Sequence, residues 1–141
     1  MAADPEIVEA LGKTDLFGSL SPRALKKVAS TAREISHPDG KEITEEGGSG
    51  VGFHLITSGK ATVTVGGASR PDLGPGDYFG EISLIDGRPR SATVTAKENL
   101  RTISLVQWDF LPILDTEPEV SKGLLKHLCD RLRAAEGHST A

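Results

Sequence analysis

One cysteine, Cys129, stands in the whole chain. A lone thiol closes no intrachain disulfide, so a packed core must hold the fold and a reducing compartment is the natural setting. There is no excess of positive charge: the formal net charge is -4, which argues against broad electrostatic attraction to DNA or to acidic membranes while leaving a local basic pocket open. No apolar run approaches the ~20 residues that span a bilayer. The first residues, MAADPEIVEA, carry neither a basic region nor an apolar stretch behind it, so no signal peptide is expected and the expected location is the cytoplasm. A Walker-type GxxxxGK[ST] is missing, as is G-x-S-x-G. The four histidines, His37, His54, His127 and His138, are scattered, and His127 and Cys129 would face different ways on a helix, so a metal site is not expected.

What is present suits one globular domain. At 141 residues the chain can bury about two-thirds of its unfolded surface. Asp4-Pro5-Glu6 and Ser21-Pro22-Arg23 are helix starts, with a capping side chain ahead of a proline in the first turn. Between the two helices lies the apolar connector LFGSL. From Arg33 the pattern changes to period two, with turn signals at His37-Pro38-Asp39-Gly40 and a glycine-rich loop over residues 46–50. VGFHLITSG and KATVTVGG read as two strands joined in a hairpin at Ser58-Gly59, and SATVTA and LRTISLV as a later pair. The near-repeat of ATVTV and ATVTA is ordinary Val/Thr alternation. Asp109 is expected to cap a short helix with Pro112 in its first turn, and Thr116…Glu119 has capping-box spacing. Val120, Leu124, Leu125, Leu128 and Leu132 then follow at helical spacing to Gly137, as core or lid. The fold class is mainly β with flanking helices: a jelly-roll-like β-roll over residues 32–106, helices over 1–31 and over 107–136.

One segment fits neither a plain strand nor a plain helix: FGEISLIDGRPRSATV, residues 79–94. Gly80 lets a ligand approach the backbone, Glu81-Ile82-Ser83-Leu84-Ile85 has room for about one and a half helical turns, and Arg90 offers a planar fork that grips two phosphate oxygens. Glu81 beside an anion site makes sense if it accepts a ligand hydroxyl, as a nucleoside cyclic monophosphate would supply. A Glu81–Arg90 ion pair that pins the loop explains the same residues equally well. Ile82, Leu84 and Ile85 are expected to offer an apolar surface that the C-terminal helix can track.

GDYFGEISLIDGRPRSATVTA, residues 76–96, also resembles the phosphate-binding cassette of cyclic nucleotide-binding domains. Phe79, Gly80, Glu81, Leu84, Gly87, Pro89, Arg90, Ala92, Thr93 and Val94 are in register with it. Upstream, Glu46-Gly47, Gly50, Phe53 and Ser58-Gly59 are similar to further family positions, as is DLFGSLSPRALKKVA, so the resemblance covers residues 11–132. It implies that Glu81 receives the ribose 2′-hydroxyl and Arg90 the cyclic phosphate, with backbone N–H groups of Ile82, Ser83 and Ala92 completing the cradle. Ser91, where threonine is associated with cGMP, favours cAMP over cGMP. Gly48, Val51 and Arg88 depart from the common pattern. The resemblance further implies a sensor that does no chemistry on its ligand, with the C-terminal helix covering the base through Leu128 or Leu132 and carrying the signal. No helix-turn-helix, kinase, channel or acyltransferase segment fits in the sequence, so direct DNA binding and a membrane role are not expected, and the effector protein stays unnamed. A homodimer through the C-terminal helix is a minority reading. The competing readings are an interaction module on the same fold that no longer binds nucleotide, and a phosphodiesterase, against which the lack of a metal-ligand cluster counts. Trp108 reads as a packing anchor.

Overall fold

The computed structural model describes residues 3–44, 52–88 and 92–137. The chain forms two compact units, one from Met1–Ser30 with Pro112–Ala141 and the other from Thr31–Leu111.

The helical unit follows its capping signals. Helix α1, Pro5–Gly12, starts at Asp4, whose carboxylate accepts the Glu6 N–H at 2.8 Å. Helix α2, Pro22–Ala29, starts at Ser21, whose hydroxyl oxygen accepts the Ala24 N–H at 3.3 Å. In the connector, Leu16, Phe17 and Leu20 are buried. The Thr14 hydroxyl fixes its path by donating to the Leu11 carbonyl at 2.6 Å and accepting the Phe17 N–H at 3.1 Å.

The C-terminal helices correct three expectations. Helix α4 spans Gln107–Thr116, so Asp109 lies within its first turn and does not cap it, and Pro112 lies in its interior, where its missing N–H leaves a gap in the ladder. No capping box forms ahead of helix α5, Pro118–Ala135, whose N-cap is Glu117. The Thr116 hydroxyl instead donates back to the carbonyls of Pro112 and Ile113 at 3.4 and 3.5 Å. Glu119 is drawn to another helix start: its carboxylate accepts the Ser21 N–H, and the Ser21 hydroxyl donates to it at 2.9 Å. Two donors at the head of α2 outcompete the local box. In the leucine row only Val120 and Leu124 are buried, while Leu125 and Leu132 are 64% and 62% exposed, so the row is not one core face.

Among its described residues the second unit is a six-stranded antiparallel roll: β1 Arg33–His37, β2 Glu42–Thr44, β3 Gly52–Val65, β4 Ala68–Leu73, β5 Tyr78–Phe79 and β6 Thr93–Val106, with helix α3, Glu81–Asp86, between β5 and β6. Strand order is β1-β6-β3-β4, with β2 also on β6 and β5 also on β3. The loop of residues 46–50 lies outside the described residues.

Ser58-Gly59 is no hairpin. β3 passes straight through it, and the pairing with β6 shifts register on both sides of Ser58, the mark of a β-bulge. Gly59 has φ 81°, and opposite it Glu98 and Asn99 have φ 60° and 52°, so both long strands bend at one level. A side chain at Gly59 would stand 2.9 Å from the Leu100 Cα. For the same reason the described strand residues of the two later segments belong to one strand, β6, which starts at Thr93 and runs to Val106. The hairpin is one turn later, where Gly66 and Gly67, both at positive φ, join β3 to β4 across the pair Val65↔Ala68.

The ATVTV and ATVTA segments face one another. Ala61↔Ala96, Thr62↔Thr95, Val63↔Val94 and Thr64↔Thr93 pair antiparallel, like opposite like. Ala61, Val94 and Ala96 enter the core of this unit with Ile56, Phe79 and Leu100.

Candidate functional site

The cassette grows from the sheet at β5. His54↔Phe79 and Leu55↔Tyr78 pair β5 to β3, and the approach is fixed by the Asp77 carboxylate, which accepts the Gly74 N–H at 2.9 Å. The next residue, Gly80, has φ 88° and caps α3 without a side chain. α3 runs only six residues before Gly87 at φ 66° ends it by donating its N–H to the Ser83 carbonyl at 2.8 Å. Left-handed backbone at both ends of so short a helix is what the glycines supply.

The expected residues divide by exposure. Glu81 is 8% exposed and Ser83 7%, both polar and both buried, whereas Ile82 is 38% exposed. Leu84 is fully buried, so it does not belong to the apolar outer surface expected of Ile82, Leu84 and Ile85. Burying a carboxylate costs free energy unless partners surround it, and position one of a helix supplies a favourable dipole. Ser83 closes the cassette internally, its hydroxyl donating to the Arg88 carbonyl at 3.2 Å. Arg88 itself is exposed, with its N–H donating to the Asp86 carboxylate at 2.9 Å. Ala92 is half-buried just before β6. Pro89, Arg90 and Ser91 lie outside the described residues. The structure therefore brings Gly80, Glu81, Ile82 and Ser83 into one turn of chain.

Two features behind the cassette were not legible in the sequence. The Thr102 hydroxyl sits 3.1 Å from His37 Nε2 and 3.1 Å from His54 Nδ1, a three-member polar cluster in the roll. The two imidazoles meet edge-on with centroids 5.6 Å apart, and His54 stacks on Phe79 at 5.1 Å. Burial, and then the Lys41 charge, hold the His37 pKa below its usual 6.5. The other feature is Gln107, the first residue of α4 directly after β6, whose side-chain amide donates to the Ile85 carbonyl at 3.4 Å. Trp108, read as a packing anchor, is 65% exposed.

Among the described residues no group of three or more His, Cys, Asp or Glu side chains is placed to hold a metal ion. Among them, too, no helix is long and apolar enough to cross a membrane.

The family model described as "Cyclic nucleotide-binding domain" matches residues 34–117. The cyclic AMP receptor protein of Thermus thermophilus is 35% identical over 126 residues, covering 86% of this chain and 58% of that protein. A cAMP-dependent protein kinase regulatory subunit of Aspergillus niger is 32% identical over 114 residues, covering 79% of this chain and 28% of the relative. The chain thus spans little more than half of one of these curated relatives and under a third of the other. Among solved structures, the N-terminal domain of a transcriptional regulator from Streptomyces coelicolor A3(2) superposes with a TM-score of 0.80 at 28% identity, covering 91% of this chain and 93% of that one. A matched span that holds the roll from the second residue of β1 to the end of β6, with the glycine-capped α3 inside it, decides the assignment: this chain belongs to the cyclic nucleotide-binding domain family.

Proposed function

We propose that the chain is a non-catalytic sensor of a cyclic nucleotide, with cAMP preferred over cGMP, acting as one domain. The observation that carries this reading is the buried Glu81 at the head of a helix bounded by two left-handed glycines, in a chain of this family. Glu81 would accept the ribose 2′-hydroxyl, Arg90 would grip the cyclic phosphate, and the N–H groups of Ile82, Ser83 and Ala92 would complete the cradle, with Gly80 giving the backbone room and Ser91 favouring cAMP over cGMP. A carboxylate alone would repel the phosphate, so the sugar contact and the arginine are required together. The relatives named for cAMP favour that ligand. The ligand is bound and released unchanged. Any further partner belongs to the same proposal: an effector protein and no direct contact with DNA or a membrane, with the exposed Leu125 and Leu132 of α5 as the surface for a second copy of this chain.

Melting the protein with cAMP, cGMP and AMP tests this. Ligand at a hundredfold its Kd stabilises by about 2.7 kcal/mol, so cAMP should raise the Tm clearly and AMP should not. A folded, nucleotide-free protein that ignores millimolar cAMP would leave the interaction-module reading in its place.

A further inference from the structure

We propose that Gln107 is a positioning residue for the ligand, a latch that fixes the far end of the cassette helix to the sheet. This rests on the cassette binding a cyclic nucleotide. α3 is held at its start by β5 through Gly80, but a helix of six residues has few internal bonds to stiffen it, and its last carbonyls need partners from outside. Gln107 supplies one, donating from Nε2 to the Ile85 carbonyl at 3.4 Å. The same carboxamide lies close over Gly87: a Cβ there would stand 2.7 Å from Gln107 Nε2, 2.8 Å from Oε1 and 3.1 Å from Cδ. A methyl at Gly87 would thus meet a strained φ of 66° and would also push the Gln107 amide aside from its bond to Ile85.

The post that carries the latch is firm. Gln107 follows directly on Val106, which pairs with Gly52 at the end of the longest ladder of the sheet, β3 with β6. A side chain at Gly52 would meet the Leu105 carbonyl oxygen at 2.6 Å, so the two backbones close tightly at that point. Among the described residues, several hydrogen bonds gather at the exit of the cassette around Gly87 and Arg88. The Gly87 N–H reaches Ser83, the Arg88 carbonyl accepts from Ser83, the Arg88 N–H reaches Asp86, and Gln107 holds Ile85. Fixing the axis of α3 aims the N–H groups of Ile82 and Ser83. A ligand that finds these groups already aligned loses less freedom on binding, and the gain is read in how slowly it leaves.

The test measures cAMP association and dissociation rates, and ligand-free melting, for the wild-type chain, Gln107→Leu, Gly87→Ala and Gly87→Ala in a Gln107→Ala background. Gln107→Leu keeps the size and removes the donor. The expected result is cAMP dissociation about fivefold faster with little change in association, the loss of one ordinary hydrogen bond. Gly87→Ala should be more damaging in the wild-type background than with Gln107→Ala, because truncating the amide removes the atoms the new methyl would strike. This coupling should also appear in the ligand-free melts. A purely structural role would lower the Tm and leave the dissociation rate unchanged, which overturns the proposal. Additive effects of the two changes on melting overturn the contact itself. Wild-type chain that binds no cAMP overturns the ligand reading and this role with it, whereas normal binding by Gln107→Leu overturns this role alone.

Discussion

Gly59 is where the geometry of the roll can be tested most sharply. Replacing it by alanine meets two penalties. The backbone sits at φ 81°, and a non-glycine residue in the left-handed region costs roughly 1–2 kcal/mol. The new methyl would also lie 2.9 Å from the Leu100 Cα, 3.0 Å from the Asn99 oxygen and 3.1 Å from the Glu98 oxygen. All three are backbone atoms of β6 and cannot turn aside as a side-chain tip would, so crowding adds roughly 1–3 kcal/mol. The built-in comparison is Gly66, at φ 58°, where a new methyl would have nothing within 4 Å, so that it carries the first penalty alone. Urea unfolding of both variants should place Gly59→Ala about 2 kcal/mol below Gly66→Ala, and their melting points about 6 °C apart at this chain length. Equal loss at the two positions would refute the argument that β3 and β6 bend together through a close backbone contact.

Other outcomes follow from single contacts. Thr102→Val leaves the buried His37 and the half-buried His54 without their shared hydroxyl and should cost about 1–3 kcal/mol in urea unfolding. His37 has a folded pKa below its unfolded 6.5, so the unfolded state takes the proton first. Stability should therefore hold above pH 6.5 and fall as the pH drops from there through the lowered folded value, and His37→Gln should flatten that slope in a pH series of unfolding curves. Glu119, held below its usual 4.5 by the Ser21 N–H and hydroxyl, works in the acid range: its contribution is present above pH 4.5 and is lost as the pH falls through the lowered value, and Glu119→Gln should remove this part of the acid sensitivity of melting. Leu84→Ala, a truncation at a fully buried site in α3, should cost about 2–5 kcal/mol, read by the same unfolding assay.

How far the sequence could be read depended on the range of the interaction. Asp4 and Ser21 cap their helices as expected because a cap is decided within three residues of chain. The room for about one and a half helical turns over Glu81 to Ile85 was likewise local, and α3 fills it as Glu81–Asp86. Thr116…Glu119 misled because its spacing is local while its competitor, the start of α2, is 98 residues away in sequence. Ser58-Gly59 misled in a different way. A glycine at positive φ serves a hairpin or a bulge equally, and only the partner strand distinguishes them. Pairing also explains what stayed hidden at the site. His37, His54 and Thr102 are far apart in sequence and converge only through the register of β1, β3 and β6. Gln107 has no signature, since an amide that serves a carbonyl of another element looks like any surface glutamine. The cassette was legible through its order of residues, and Glu81, Ile82 and Ser83 do come together in one turn of α3.

Calorimetric titration with cAMP of the wild-type chain, Arg90→Ala and Arg88→Ala bears most directly on the central proposal, a cyclic phosphate held at the cassette. Wild type should give a saturable heat with one site per chain. Arg90→Ala should lose about 2–4 kcal/mol of binding, the cost of a charge-assisted bidentate contact, while Arg88→Ala, exposed to solvent, should lose little. No saturable heat from folded, nucleotide-free wild-type protein, or a greater loss in Arg88→Ala than in Arg90→Ala, would contradict the account.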